Sequence, residues 1–314
     1  MRQYSVIGQG LPRIESLEKV TGEAKYVADL ILPRMLFGKI LRSHYAHARI
    51  VSIDTEKVEK LPGVKAVITG KDTLGLKIGA HRSYRDRQLL AVDKVRFMGE
   101  AVAAVAAIDE DTAQDALELI EVEYEPLPAV FSAEVASTHG AHRLHDHAEC
   151  NIGVQQQWDF GDVEKGFAES DYVREDRFTT PIVVHGFIEP NACLAMWEPS
   201  GKFTLWVTHQ MPFFLRRDLA MALGVPLGKV RIIKVHMGAG FGGKGETFDL
   251  HLAAPLLAQK SGRPVKIEYT MGEQFVAGTR RIPVIIDLKT GVKKDGTLVA
   301  QSTKAITDGG AYIS

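Results

Sequence analysis

A glycine-dense turn in the second half of the chain constrains the fold more than any other feature. A run rich in Val and Ile ends at a turn in which four glycines lie within six residues: Gly238, Gly240, Gly242 and Gly243. Apolar residues then recur at helical spacing from 248 to 260. Because glycine has no Cβ, a ligand can approach the backbone closely and successive N–H groups can converge on one point. The segment therefore predicts a strand, an anion-binding turn and a helix, in that order.

Three interpretations of this turn remain open on the residues alone. Gly238, Gly240 and Gly243 match the dinucleotide-binding pattern G-x-G-x-x-G, and Glu268 would then be the acid that binds the ribose. That pattern normally follows the first strand of its domain, whereas most of this chain precedes the turn. A P-loop is disfavoured because Gly245 stands where a Ser or Thr would hold Mg²⁺. A purely structural turn is the third interpretation.

Composition narrows the possible partners. The chain has 314 residues, 45% hydrophobic and 25% charged, with a formal net charge of −1. This is ordinary soluble composition, and the length suggests two domains. No block of like charges favours nucleic acid, no apolar stretch could span a bilayer and no signal peptide is recognisable, so we expect a cytoplasmic protein. The two cysteines, Cys150 and Cys193, cannot hold an iron–sulfur cluster, which needs about four ligands.

Hydrophobic patterns divide the chain into two domains joined by a linker. Residues 1–136 contain an irregular N-terminal arm and then mixed α/β patterns, in which the apolar run 101–108 predicts a strand buried on both faces. Residues 137–150 carry four histidines, which indicate a solvated linker or, less favourably, a metal-binding tract. Residues 151–314 begin a second domain that stops after a strand and a loop, so we expect it to be incomplete at the C-terminus.

Local signals place several element boundaries. Strands are predicted at residues 36–41, 48–53, 64–69, 101–108, 121–124, 172–179 and 205–208. Asp111 or Thr112 is expected to cap the helix that follows residue 108, and Pro212 to begin another helix. Residues 293–296 contain Asp-Gly and predict a hairpin turn.

Six segments, in order along nearly the whole chain, resemble one known family. They include LRSHYAHARI at 41–50, IEPNACLA at 188–195 and MGAGFGGK at 237–244, with further matches at 18–29, 93–107 and 208–212. The family is the large, molybdenum-binding subunit of xanthine dehydrogenases and aldehyde oxidases, and the chain most resembles its hydroxybenzoyl-CoA reductase and carbon monoxide dehydrogenase branch. The resemblance implies an α+β chain: an a/b hammerhead domain followed by the first part of a mixed α/β molybdopterin-binding domain.

The resemblance also implies roles for individual residues. The cofactor-binding residues would be Gln210, Gly240, Phe241, Gly242 and Gly243. The amide of Gln210 would donate a hydrogen bond beside the oxygen ligands of molybdenum, unless it caps the following helix instead. The N–H groups of Phe241 and Gly242 would point at an oxo group, and the Phe241 ring would either exclude water from the metal or pack in the core. No side chain of this segment would ligate the metal directly.

Arg281 matches a position at which an arginine of the family approaches the substrate, with a surface salt bridge as the alternative. Ile282 stands where the family often has His, which implies a more apolar pocket. The catalytic glutamate of the family is expected beyond residue 314, so no catalytic residue is assigned and the chain alone should be inactive.

The implied activity is hydroxylation of an aldehyde, N-heterocycle or aromatic substrate with oxygen derived from water, or reductive dehydroxylation. The implied cofactor is molybdenum-molybdopterin, in the cytosine dinucleotide form if the source is bacterial. Partner subunits would carry 2Fe-2S clusters and FAD, the missing C-terminal half would complete the subunit, and the assembly would be a dimer of heterotrimers. Two alternatives remain: an NAD-dependent dehydrogenase that uses the glycine turn, and a non-catalytic fragment that docks partner chains.

Overall fold

The computed structural model describes residues 4–79 and 85–312. The first residues of the first predicted domain, its residues 80–84 and the last residues of the second predicted domain lie outside the described residues. Before residue 137 the elements are α1 (Ser16–Thr21), β1 (Leu36–Arg42), β2 (Ala48–Asp54), α2 (Glu56–Glu59), β3 (Val64–Thr69), β4 (Lys77–Ile78), β5 (Arg87–Gln88), β6 (Lys94–Val95), β7 (Ala101–Ala107), α3 (Glu110–Glu118), β8 (Glu121–Pro126) and α4 (Ala133–Ala136).

After residue 137 the elements are α5 (Val163–Ala168), β9 (Tyr172–Thr179), β10 (Val183–Val184), β11 (Ala192–Trp197), β12 (Phe203–Val207), α6 (Pro212–Ala222), β13 (Val230–Lys234), α7 (Leu250–Ser261), β14 (Val265–Glu268), α8 (Met271–Ala277), β15 (Arg280–Arg281), β16 (Val284–Val292) and β17 (Leu298–Thr307). The predicted hairpin turn joins β16 to β17 and contains Gly296 at φ 89°.

A seven-stranded mixed sheet forms the centre of the fold, in the order β13-β12-β11-β14-β1-β7-β3. Every residue of β7 is buried, as its small apolar side chains predict for a strand covered on both faces. Helix α7 packs against one face through Leu250, Ala254 and Leu257, while α3 covers part of the other face through Ala113 and Ala116.

The central sheet joins strands from both sides of the predicted linker. Strands β1, β3 and β7 come from residues before 137, and β11 to β14 come from residues after 150. The junction is the parallel pair β1–β14, in which Leu36 lies opposite Val265 and Gly38 opposite Ile267. A Cβ at Gly38 would lie 2.6 Å from Cγ1 of Ile267, so the glycine permits this close pairing. The boundaries at 136 and 151 stay a prediction, since the sheet runs across them.

The strand predicted at 101–108 is β7. It is separated from β6 where buried Glu100 accepts a hydrogen bond from the Arg96 N–H (2.5 Å) and another from the Tyr312 hydroxyl. One local prediction is wrong. Helix α3 is capped by Asp109, whose carboxylate accepts from the Thr112 N–H at 2.7 Å, rather than by Asp111 or Thr112. Asp109 has the extended backbone conformation that an N-cap requires.

In the histidine-rich segment 137–150, His139, His142 and His147 are exposed, whereas His145 is partly buried. His145 Nε2 donates to the carbonyl of Ala311 at 2.7 Å, and its ring lies 5.1 Å from the ring of Tyr312. The expectation of a solvated linker is therefore wrong for His145. Across residues 4–79 and 85–312, no group of three or more His, Cys, Asp or Glu side chains could hold a metal ion.

Candidate functional site

The parallel strands β12 and β13 bring two loops to one edge of the central sheet. Gln210 follows β12 and the glycine turn follows β13, and the carboxyl ends of adjacent parallel strands lie side by side. The Gln210 N–H donates to the carbonyl of Lys244 at 2.8 Å, and the Lys244 N–H donates to Oε1 of Gln210 at 3.1 Å. Gln210 and the glycine turn are therefore in direct contact.

The Gln210 side chain keeps its donor available. Its Nε2 group makes no hydrogen bond within the described part of the chain. The alternative of a helix cap is wrong, because Met211 occupies the N-cap position of α6 and no side chain caps that helix. The amide can thus donate to a ligand while its oxygen holds the turn.

The glycine turn has the backbone geometry of an anion-binding nest. Ala239, Phe241 and Gly242 have positive φ values of 74°, 47° and 91°. The Gly243 N–H donates to the carbonyl of Gly240 at 2.7 Å, but the N–H groups of Phe241 and Gly242 donate to no group among residues 4–79 and 85–312. Two adjacent N–H donors are therefore left for a bound oxygen or anion.

Close approach explains two of the glycines. A Cβ at Gly240 would lie 2.9 Å from Oε1 of Gln210. A Cβ at Gly243 would lie 2.8 Å from Nδ1 of His185 and 2.9 Å from Cε1 of Phe187. Gly242 has room for a Cβ but adopts φ 91°, which L side chains rarely do. All three glycines are thus required by the shape of the turn.

An ion pair ties the two ends of the turn together. Oε2 of Glu189 accepts from the Gly238 N–H at 2.7 Å and from Nζ of Lys244 at 2.7 Å. The Lys244 side chain is 0% exposed and its Nζ lies 4.7 Å from the centre of the Phe187 ring. Burial lowers the pKa of Lys244, and the Glu189 carboxylate opposes this shift. A lysine held in this way cannot reach a phosphate, which excludes the P-loop interpretation.

Two buried histidines bind the backbone on either side of the site. His209 accepts the Met211 N–H at Nδ1 (2.9 Å) and donates from Nε2 to the carbonyl of Glu246 (3.0 Å). This pattern fixes a neutral imidazole. His251 accepts the Phe248 N–H at Nδ1 (3.0 Å), and its ring lies 5.3 Å from that of His209. Sequence reasoning assigned no role to Glu189, His185 or His209, although Glu189 and His209 lie in the segments that carried the family resemblance.

Stability should therefore decrease below pH 6.5. Burial lowers the pKa values of His209 and His251 from 6.5, so between those lowered values and 6.5 the unfolded chain binds more protons than the folded chain. The contribution of these histidines to the free energy of unfolding is therefore fully present above pH 6.5, and it is lost as the pH decreases from there. Urea unfolding between pH 5 and pH 7.5 measures the slope. His251→Asn keeps an acceptor for Phe248 but cannot be protonated, so an unchanged slope in this variant would contradict the assignment.

Arg281 is exposed and lies close in sequence to a residue that contacts the glycine turn. Thr279 Oγ1 donates to the carbonyl of Gly243 at 3.2 Å, and β15, which contains Arg281, pairs with β10 directly before His185. Arg281 forms no ion pair in the described part of the chain, so the salt-bridge alternative finds no support.

Phe241 is also 70% exposed, so its alternative of core packing is wrong. The roles of both residues toward substrate and cofactor stay predictions.

The strand order disfavours a dinucleotide site. In a dinucleotide-binding unit the helix begins within the glycine motif and leads to the neighbouring parallel strand. Here α7 does not begin until Leu250, and β12 and β11 separate β13 from β14. The edge position of β13 in a mixed sheet is likewise unlike the first strand of such a fold.

Comparison with known families agrees with this geometry. The model of the molybdopterin cofactor-binding domain matches residues 144–314, and that of the aldehyde oxidase and xanthine dehydrogenase a/b hammerhead domain matches residues 21–128. The chain belongs to the xanthine dehydrogenase/aldehyde oxidase family. The expected α+β fold, with a hammerhead domain before a molybdopterin-binding domain, is confirmed.

Individual members of the family are similar over nearly the whole chain. A probable xanthine dehydrogenase component of Bacillus subtilis is 44% identical over 94% of this chain and 39% of its own length. The nicotinate dehydrogenase large molybdopterin subunit of Eubacterium barkeri is 38% identical over 100% of this chain and 73% of its own. Quinoline 2-oxidoreductase from Pseudomonas putida 86 has a TM-score of 0.90 at 34% identity, covering 96% of this chain and 39% of that chain.

These likenesses place the chain among molybdenum-binding oxidoreductases. They do not separate the branches of the family, so the expected nearer relation to hydroxybenzoyl-CoA reductase and carbon monoxide dehydrogenase stays a prediction. None of the helices formed by the described residues is long and apolar enough to cross a membrane.

Proposed function

We propose that this chain forms part of the molybdopterin site of an enzyme that hydroxylates, or reductively dehydroxylates, an aldehyde, N-heterocycle or aromatic substrate with oxygen derived from water. One observation carries the proposal. The unbonded N–H groups of Phe241 and Gly242 lie in a turn that Gln210 holds by its oxygen while its amide nitrogen is unbonded. Both backbone and side chain thus offer neutral donors to a group rich in oxygen atoms.

The available hydrogen-bond donors fit such a cofactor. Gln210, Phe241 and Gly242 would bind its oxygen atoms, and Gly240 and Gly243 keep the turn in the required shape. Because Glu189 neutralises Lys244, the turn presents dipoles rather than a net charge. When bound, the molybdenum centre supplies the redox chemistry, and the protein supplies binding and orientation. Arg281, exposed and unpaired in the described chain, is proposed to approach the substrate.

The rest of the enzyme is proposed from the same family membership. Cys150 is only partly buried and Cys193 is fully buried, and both are free, so the 2Fe-2S clusters would lie on one partner chain and FAD on another. Other polypeptide would contribute the catalytic glutamate and the second half of the cofactor site, since this chain spans 39% of the Bacillus relative. We further propose the cytosine dinucleotide form of the cofactor, a dimer of heterotrimers and a cytoplasmic location.

The proposal is tested by purifying from its source the complex that contains this chain and by measuring the cofactors bound to it. We expect about one molybdenum and one pterin per chain, with cytidine monophosphate released on acid hydrolysis if the dinucleotide form is correct. Tight NADH binding without molybdenum would instead support the dehydrogenase alternative. Recovery of partner chains with neither molybdenum nor NADH would support a docking role.

A substitution at Gln210 tests the residue assignment. Gln210→Glu keeps an oxygen acceptor for the Lys244 N–H but replaces the amide donor with a negative charge beside an anionic group. The loss of one charge-assisted hydrogen bond should lower the retained molybdenum about tenfold. Metal analysis of the purified complex gives the measurement, and Gln301→Glu on the exposed strand β17 is the matched control. Equal molybdenum in both variants would refute the proposed contact.

A further inference from the structure

Strand β13 is an outer edge of the central sheet. It pairs in parallel with β12 on one side, and no described strand pairs with it on the other. The backbone groups along that side are a template for another strand. Proteins usually protect such an edge with a bulge, a proline, charged side chains or a covering segment. In the described chain β13 has no bulge or proline, and its edge carries the charged side chains of Arg231 and Lys234.

A groove of about 460 Å³ runs along this edge, between β13 and α6. Its floor is apolar and includes Phe203, Val230 and Ile232. Phe213 stands at the side with 81% of its surface exposed. Arg216 closes the base, where its Nε donates to the carbonyl of Val230 at 2.8 Å. The groove thus combines unpaired strand backbone with apolar surface.

The charges around the groove are strongly one-sided. Its lining contains Lys202, Arg216, Lys229, Arg231 and Lys234 but a single acid, Glu198. The side chains of Lys202, Arg231 and Lys234 are exposed and form no ion pair within the part of the chain that the structure describes. The whole chain has a net charge of −1, so this cationic cluster is a local feature.

We propose that β13 accepts an extended, acidic segment of a partner protein as an additional strand of the sheet. Main-chain hydrogen bonds to the edge supply affinity in this mode of recognition, and alternate side chains supply specificity. Arg231 and Lys234 lie on opposite faces of β13, and carboxylates at alternate positions of an added strand share one face. With the apolar side chains of the segment toward the groove, its carboxylates would meet Arg231, while Lys234 would attract the segment at longer range. Apolar side chains of the segment would lie in the groove against Phe213. This proposal is independent of the molybdopterin site.

Fluorescence anisotropy with a designed probe tests the proposal. The probe is a labelled eight-residue peptide of alternating Val and Glu, titrated with the full chain. We expect saturable binding that weakens about tenfold between low and high salt, because exposed charges are screened. Arg231→Glu with Lys234→Glu should reduce the affinity at least tenfold. The matched control is Lys65→Glu with Lys71→Glu, in and just after β3 at the opposite edge of the same sheet, which should bind as the original chain does.

Four further measurements decide between occupants. A peptide with N-methyl groups at every residue keeps its charges but cannot donate to β13 from either edge, so equal binding would overturn strand addition. Equal binding of a Val-Lys peptide would overturn the acidic assignment. Self-association of the chain in sedimentation experiments, abolished by the Arg231→Glu/Lys234→Glu variant, would identify a second copy as the occupant and overturn the proposal. Displacement of the peptide by millimolar inorganic phosphate alone would reduce the groove to an anion site and would also overturn it.

Discussion

Glu189→Gln is expected to lower the free energy of unfolding by about 3 kcal/mol, because it leaves a buried cation without its counter-ion. The Lys244 side chain is 0% exposed and the Glu189 side chain 18% exposed, so water can replace little of the lost carboxylate. Glutamine has nearly the same size, and its oxygen can still accept the Gly238 N–H. Urea unfolding at neutral pH measures the change. Loss of order in the turn should also reduce the molybdenum retained by the purified complex.

A double substitution separates the charge effect from other damage. Glu189→Gln with Lys244→Met removes both charges and fills the same volume, so the pair should be less destabilised than Glu189→Gln alone. Glu175→Gln is the surface control, since Glu175 and Lys289 form a 3.0 Å pair with side chains 71% and 42% exposed. Exposed pairs contribute at most about 1 kcal/mol. Equal destabilisation by the substitutions at Glu189 and Glu175 would show that the buried pair does not hold the turn.

Local signals predicted the elements of the fold well, and non-local pairing explains what they missed. The apolar run in β7 and the start of α6 at Pro212 depend on neighbouring residues, and both are as expected. The parallel pairing of β1 with β14 joins residues more than two hundred positions apart. No periodic pattern encodes such a contact, so the sequence did not predict that strands from before residue 137 and after residue 150 share one sheet.

The sequence likewise indicated the residues of the candidate site but not the group that binds there. The glycine spacing and the family resemblance indicated Gln210 and the turn, and the structure brings them into contact. Backbone composition alone could not decide between a nucleotide and a metal-bound group, because both bind to converging N–H groups. The features that disfavour a nucleotide are the strand order and the burial of Lys244 against Glu189. Both depend on contacts between segments that are distant in sequence.

Gly243→Ala is expected to destabilise the chain by about 2 kcal/mol and to remove most of the bound molybdenum. The new methyl carbon would lie 2.8 Å from Nδ1 of His185 and 2.9 Å from Cε1 of Phe187, which is too close for non-bonded atoms. Overpacking of this kind typically costs about 1–3 kcal/mol. His185 cannot move freely, because its Nδ1 donates to the carbonyl of Thr279 at 3.3 Å. The turn must therefore shift, and the N–H groups of Phe241 and Gly242 shift with it.

Gly245→Ala is the matched control within the same turn. A Cβ there would meet the Gly242 carbonyl at 3.3 Å and Sδ of Met211 at 3.6 Å, and the position has no positive φ. Because the 3.3 Å contact is only slightly tight, we expect a smaller loss of unfolding free energy than for Gly243→Ala, about 1 kcal/mol or less, and near-normal molybdenum content. Thermal unfolding and metal analysis of both variants provide the comparison. If Gly243→Ala kept its molybdenum while losing stability, the turn would be a structural element only, and the cofactor would have to bind elsewhere on the chain.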